Sequence, residues 1–188
     1  MPIKIHDNLP ARKLLLNEVV DVIDSSSAEK QDIRPLKFLL LNLMPKKLQT
    51  EVQFARLLSS SPLQIELTLM TTKTYAPTNT TKEHLIEFYK TLDDVKDDFF
   101  DVLIITGAPV ETIPFEEVKY WEELKKIILW SSTNVFRKIG ICWGAQALLK
   151  ELHNVEKHTM QKKLFGVYDH NLNQDKQYRL MQGFINRF

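Results

Sequence analysis

The stretch KIGICWGAQALLKELH, residues 138–153, joins a short apolar segment to a helical pattern through one cysteine set between glycines. Lys138 to Cys142 reads as a short buried strand, and Ala145 to His153 as the helix after it. Between them, Gly140-Ile141-Cys142-Trp143-Gly144 has the G-x-nucleophile-x-G form. In such an elbow, glycines allow a strained strand-to-helix turn to present the nucleophile. The helix points its amino end at the sulfur, where its dipole favours an anion. The backbone N–H of Trp143 is placed to help stabilise an oxyanion. An arbitrary lone cysteine is most often a small buried hydrophobe. The flanking glycines and the strand-to-helix context reverse that preference for Cys142.

Similar alternations precede the elbow. Leu36 to Leu43 is a continuous apolar run, as expected of a strand buried on both faces. Gln49 to Ser59 has mostly helical spacing, and Ile65 to Met70 alternates like a second strand. Thr71 to Thr81, rich in Thr, Pro and Asn, reads as an exposed loop. Lys82 to Leu92 reads as a helix, Phe99 to Thr106 as a third strand, and Glu116 to Ser132 as a long amphipathic helix. Residues 1–33 form an amino-terminal arm, with a short strand at Val22-Ile23 and a loop at Ser25-Ser26-Ser27. Residues 34–188 form an α/β core, the two together making one domain. Strands alternating with helices predict a parallel sheet with helices on both faces. The working site of such a sheet lies outside the carboxyl ends of its strands. Three strand ends are candidates for one site: Asn42 to Lys47, Gly107 to Glu111, and Gly140 to Gly144.

Composition narrows the function. The 188 residues carry 25 basic and 24 acidic side chains, for a net charge of +1. That balance offers no electrostatic attraction for nucleic acid or an anionic membrane. No apolar run approaches the roughly 20 residues of a membrane helix, and the start lacks the apolar core of a signal peptide. A single cysteine excludes an intramolecular disulfide and a Cys-rich metal site, so a cytoplasmic protein without a metal is expected. There is no Walker-type phosphate loop or dinucleotide fingerprint.

The motifs MPIKI…LP, IRPLKFLLLNLMPKK, SSSPLQIELTLM, FDVLIITGAPVE, GICWGAQALL and KLFGVYDH resemble those of homoserine O-acyltransferases, across essentially the whole chain. The resemblance implies a flavodoxin-like α/β fold, shared with class I glutamine amidotransferases. It also implies a ping-pong reaction of methionine biosynthesis. A cysteine thiolate takes the acyl group from an acyl-CoA and passes it to the hydroxyl of L-homoserine. Cys142 matches the family nucleophile, Ala108 and Trp143 the backbone positions of the oxyanion hole, and Lys163 a substrate-contacting lysine. Lys47, with Lys46, lies at a strand end, where it is expected to bind CoA phosphates or a carboxylate. In the family, glycine at the position of Glu111 goes with succinyl transfer, and glutamate with acetyl transfer. The electrostatics agree, because a carboxylate repels the free carboxylate of a succinyl group and has nothing to repel in acetyl. Acetyl-CoA is therefore the expected donor, a substrate rather than a cofactor, and a homodimer is compatible with the family.

The chain also departs from the family. The His-x-Glu that the resemblance implies as general base does not occur after Cys142, where the histidines are His153, His158 and His170. The ending, Gly183 to Phe188, reads like the lead into another element, so a domain lacking its carboxyl-terminal part is expected. The alternatives are a serine O-acetyltransferase of cysteine biosynthesis, succinyl-CoA as donor, a glutamine amidotransferase using the same elbow, and an inactive remnant.

Overall fold

A computed structural model describes residues 2–74, 79–162 and 164–169. The chain divides into two compact units, Met1–Lys157 and His158–Phe188. The described residues of the second unit carry neither helix nor strand.

The first unit is built on a parallel sheet. Its strands are β1 (Ile3–Lys4), β2 (Val22–Ile23), β3 (Leu36–Leu41), β4 (Ile65–Met70), β5 (Tyr89–Lys90), β6 (Phe100–Ile105) and β7 (Val135–Gly140). They lie in the order β2-β1-β4-β3-β6-β7, with β5 paired beside the end of β4, and every pairing is parallel. The longer helices are α1 (Pro10–Asn17), α3 (Lys47–Ser59), α6 (Trp121–Asn134) and α7 (Trp143–His153). Shorter ones are α2 (Ser25–Glu29), α4 (Lys82–Phe88) and α5 (Leu92–Val95). This is the α/β architecture expected from the alternating pattern.

Alternation along the central strands divides the core in two. Leu39, Leu41, Leu103 and Ile105 pack with Leu124, Ile127 and Ile128 of α6 and Ala147 of α7. Phe38, Leu40 and Ile104 turn to the other face and pack with Leu15 of α1 and Val52 and Ala55 of α3. Helices therefore cover both faces, and residues 38–41 of β3 are continuously apolar because each meets one layer or the other.

Several boundaries differ from the sequence reading. The first 33 residues supply β1, which pairs with β4, and its Ile3 is fully buried. The Ser25–Ser27 stretch is the first turn of α2, because the Asp24 carboxylate accepts the Ser27 N–H at 2.7 Å and caps it. The helix expected over 82–92 stops at Phe88, since Tyr89 and Lys90 pair with Leu69 and Met70. The last strand starts at Val135, directly after α6, and ends at Gly140. Its Arg137 and Lys138 interrupt the apolar pattern that would mark it as a strand. It has one neighbouring strand among the described residues.

Candidate active site

Cys142 is the residue between β7 and α7, and its backbone is strained. Its φ is 55° and its ψ −120°. A non-glycine residue at positive φ is uncommon, and such strain concentrates where a side chain must be presented. The sterics explain the neighbouring glycines. A Cβ on Gly144 would lie 2.5 Å from the carbonyl oxygen of Ile105 and 2.6 Å from that of Thr106. A Cβ on Gly140 would lie 2.6 Å from the Cα of Ala145. The elbow can thus press α7 against the ends of β6 and β7 only when both positions lack side chains. The sulfur is exposed, while Trp143 beneath it is fully buried against Phe115, Tyr120 and Trp121.

The end of β6 comes to the same place. A Cβ on Gly107 would stand 3.2 Å from Cys142 Cβ and 3.5 Å from its Sγ. Gly107 therefore adjoins the sulfur, and the buried Ala108 follows it in the chain. Trp143 opens α7, so its N–H belongs to the first turn, whose amides lack intrahelical acceptors. Glu111 lies further along the same loop and is exposed.

The end of β3 is tied to that of β6. The Leu43 N–H donates to Thr106 Oγ1 at 2.8 Å, and the Thr106 hydroxyl donates to the Gly107 carbonyl at 3.0 Å. Behind this junction sits a buried polar network. Lys47 is 3% exposed, and its ammonium donates to the Asn42 carbonyl. The Asn42 amide donates to Tyr89 Oη at 2.9 Å, and the Tyr89 hydroxyl donates to Glu51 Oε1 at 2.6 Å. His84 Nε2 meets the same carboxylate oxygen at 2.9 Å. Burial draws the Lys47 amine down to about 8, partly opposed by the Glu51 charge. Burial, then the Glu51 charge, pushes the Tyr89 phenol up. Lys47 is accordingly not the solvated cation that a CoA phosphate would meet.

The structure thus brings together Cys142, Trp143, Gly107 and Ala108, and places Lys47 in the network behind the β3 end. Lys163 and His170 lie outside the described residues. His153 is an exposed residue in the last turn of α7. Glu51, His84 and Tyr89 escaped the sequence reading, which had Asn42 only as the start of a strand end. The one available signal was the i,i+4 spacing of Lys47 and Glu51 on α3. Among the described residues no cluster of His, Cys, Asp or Glu could hold a metal. No helix among them is long and apolar enough to cross a membrane.

Comparison with known proteins places this geometry in a family. A family model described as homoserine O-succinyltransferase matches residues 2–188. A Clostridium novyi protein named homoserine O-acetyltransferase is 53% identical over 188 residues, which is 100% of this chain and 62% of the relative. A Bacillus subtilis protein of the same name is 53% identical over 184 residues, covering 98% of this chain and 61% of the relative. A third, from Shouchella clausii, is 52% identical, covering 100% of this chain and 60% of the relative. The chain spans about three-fifths of the length of these relatives. With the family model matched from residue 2 to the last, the chain belongs to the homoserine O-succinyltransferase family.

Proposed function

We propose that this chain carries the nucleophile of an acyl transfer from acetyl-CoA to the hydroxyl of L-homoserine, a step of methionine biosynthesis. The observation that carries the reading is Cys142, held at positive φ with its sulfur exposed at the head of α7. The Sγ attacks the thioester carbonyl, and the oxyanion is met by the amides of Ala108 and Trp143. The carbon–sulfur bond to CoA breaks, CoA leaves as the thiol after taking a proton, and the acetyl group stays on Cys142. The homoserine hydroxyl then attacks this thioester and loses its proton, releasing O-acetylhomoserine and the Cys142 thiolate. The resemblance assigns the proton of the second step to a His-x-Glu base, a motif absent after Cys142 in these 188 residues.

The matched family description names succinyl transfer, and the relatives' names say acetyl transfer. Glu111 favours acetyl. It sits three residues after Ala108, and its carboxylate would repel a succinyl group there. Lys163 is the proposed substrate-contacting lysine. Lys47 acts from within the strand-end network, and a cytoplasmic homodimer completes the reading.

The test is intact mass after incubation with acetyl-CoA or succinyl-CoA, beside a Cys142→Ala control. One acetyl group that appears only with Cys142 present is the expected result. Equal or preferential labelling by succinyl-CoA would sink the donor assignment. No adduct from either donor would sink the nucleophile assignment for this chain.

A further inference from the structure

Lys157 reaches the loop that links Ala108 to Glu111 from the far end of α7. That helix closes at Asn154, which is left-handed at φ 52° and ψ 36°. The Asn154 N–H donates to the Lys150 carbonyl at 2.9 Å, and the Val155 N–H to that of Leu149 at 3.1 Å. This αL ending turns the chain out of the helix axis. An ion pair between Lys150 and Glu156 holds the segment that follows. The Lys157 ammonium then donates to three carbonyls of one short loop: Glu111 at 2.9 Å, Val110 at 3.4 Å, and Ile113. It also stands 4.7 Å over the ring of Phe115, which stacks on Trp121.

Three donors on one ammonium thus meet three acceptors in a four-residue span. The loop's own backbone bonds are few: Val110 N–H to Ala108 O at 2.9 Å, and Ile113 N–H to Val110 O at 3.1 Å. We propose that Lys157 is a positioning residue that fixes the 108–113 loop, and with it the Glu111 carboxylate and the Ala108 amide, so that it sets the preference between acyl donors. This inference rests on the acetyl-donor reading above. Burial weakens the charge of Lys157, and the carboxylates of Glu111 and Glu116 support it. An arginine there can still donate to the carbonyls, whereas a methionine keeps the length and loses every donor.

The experiment compares wild type, Lys157→Met and Lys157→Arg, each as the 188-residue chain, in two measurements. The first is the initial rate of Cys142 labelling by acetyl-CoA and by succinyl-CoA, read by intact mass. The second is hydrogen exchange of the amides of residues 110–113 against those of β3. The acetyl-to-succinyl rate ratio is expected to fall about tenfold in Lys157→Met and to recover mostly in Lys157→Arg. Loop exchange is expected to rise about tenfold in Lys157→Met while β3 is unchanged. A ratio within twofold of wild type would overturn the role in donor preference. Unchanged loop exchange, or an equal rise in β3, would overturn the positioning role. A wild type labelled by neither donor would remove the acyl-transfer reading and the donor preference with it, while the exchange measurement still decides whether Lys157 holds the loop.

Discussion

Strands β3 and β7 have the same length and the same parallel geometry, but they live in different surroundings. β3 pairs with β4 on one side and β6 on the other, and its residues 38–41 are buried. β7 pairs with β6, and its Phe136 is 72% exposed, with Ile139 and Ile141 also open among the described residues. The comparison separates two tasks. The β3 end is a packed support, filled by Asn42, Lys47 and the groups behind them. Among the described residues the β7 end has a neighbouring strand on one side only, and the exposed Cys142 follows it. Gly107 and Gly144 pack the Cys142 turn against the end of β6.

The difference can be tested by substitution. Leu40→Ala, in the β3 core, should cost about 2–5 kcal/mol, read from chemical denaturation. A cost below about 1 kcal/mol would mean that β3 is not the support assigned to it. Gly144→Ala should cost about 1–3 kcal/mol by forcing a Cβ into the Ile105 and Thr106 carbonyls. It should also abolish Cys142 labelling, and a variant with wild-type stability and labelling would remove the steric account of the elbow.

The buried amine of Lys47 gives the next effect. Its folded-state value of about 8 lies below the 10.5 of an ordinary lysine amine. Between these values the unfolded chain binds the extra proton, so stability rises with pH through that window. From pH 8 to 10 the gain should be up to about 2 kcal/mol and should vanish in Lys47→Met. Above pH 10 the raised Tyr89 phenol acts in the opposite sense, so the comparison belongs below that point. Identical pH slopes in both proteins would refute the assignment. The smallest effect should be Phe136→Ser on β7, within about 0.5 kcal/mol. A loss as large as that of Leu40→Ala would mean that β7 is covered as β3 is.

Much of this was legible locally. The elbow could be read because its chemistry is written in consecutive residues, where two glycines and a cysteine report a steric constraint directly. The strands β3, β4 and β6 could be read because their buried stretches are runs or alternations of apolar residues. β7 was misplaced at its start, since its Arg137 and Lys138 break the apolar pattern. The strand-end network was not legible beyond Asn42 and Lys47, because Glu51, His84 and Tyr89 come from three separate elements and none is unusual alone.

The sequence by itself therefore determined the α/β class, the elbow motif around Cys142 and the family, because each is set by short-range pattern: period, spacing and the residues around Cys142. The tertiary structure alone decided that residues 1–33 join the sheet, that Lys47 is enclosed rather than solvated, and that Lys157 meets the carbonyls of Val110, Glu111 and Ile113. The physical reason is the same in all three cases. Strand pairing, desolvation and convergent hydrogen bonds depend on residues distant in the chain, and a lysine reads alike in sequence whether water or three carbonyls receive it.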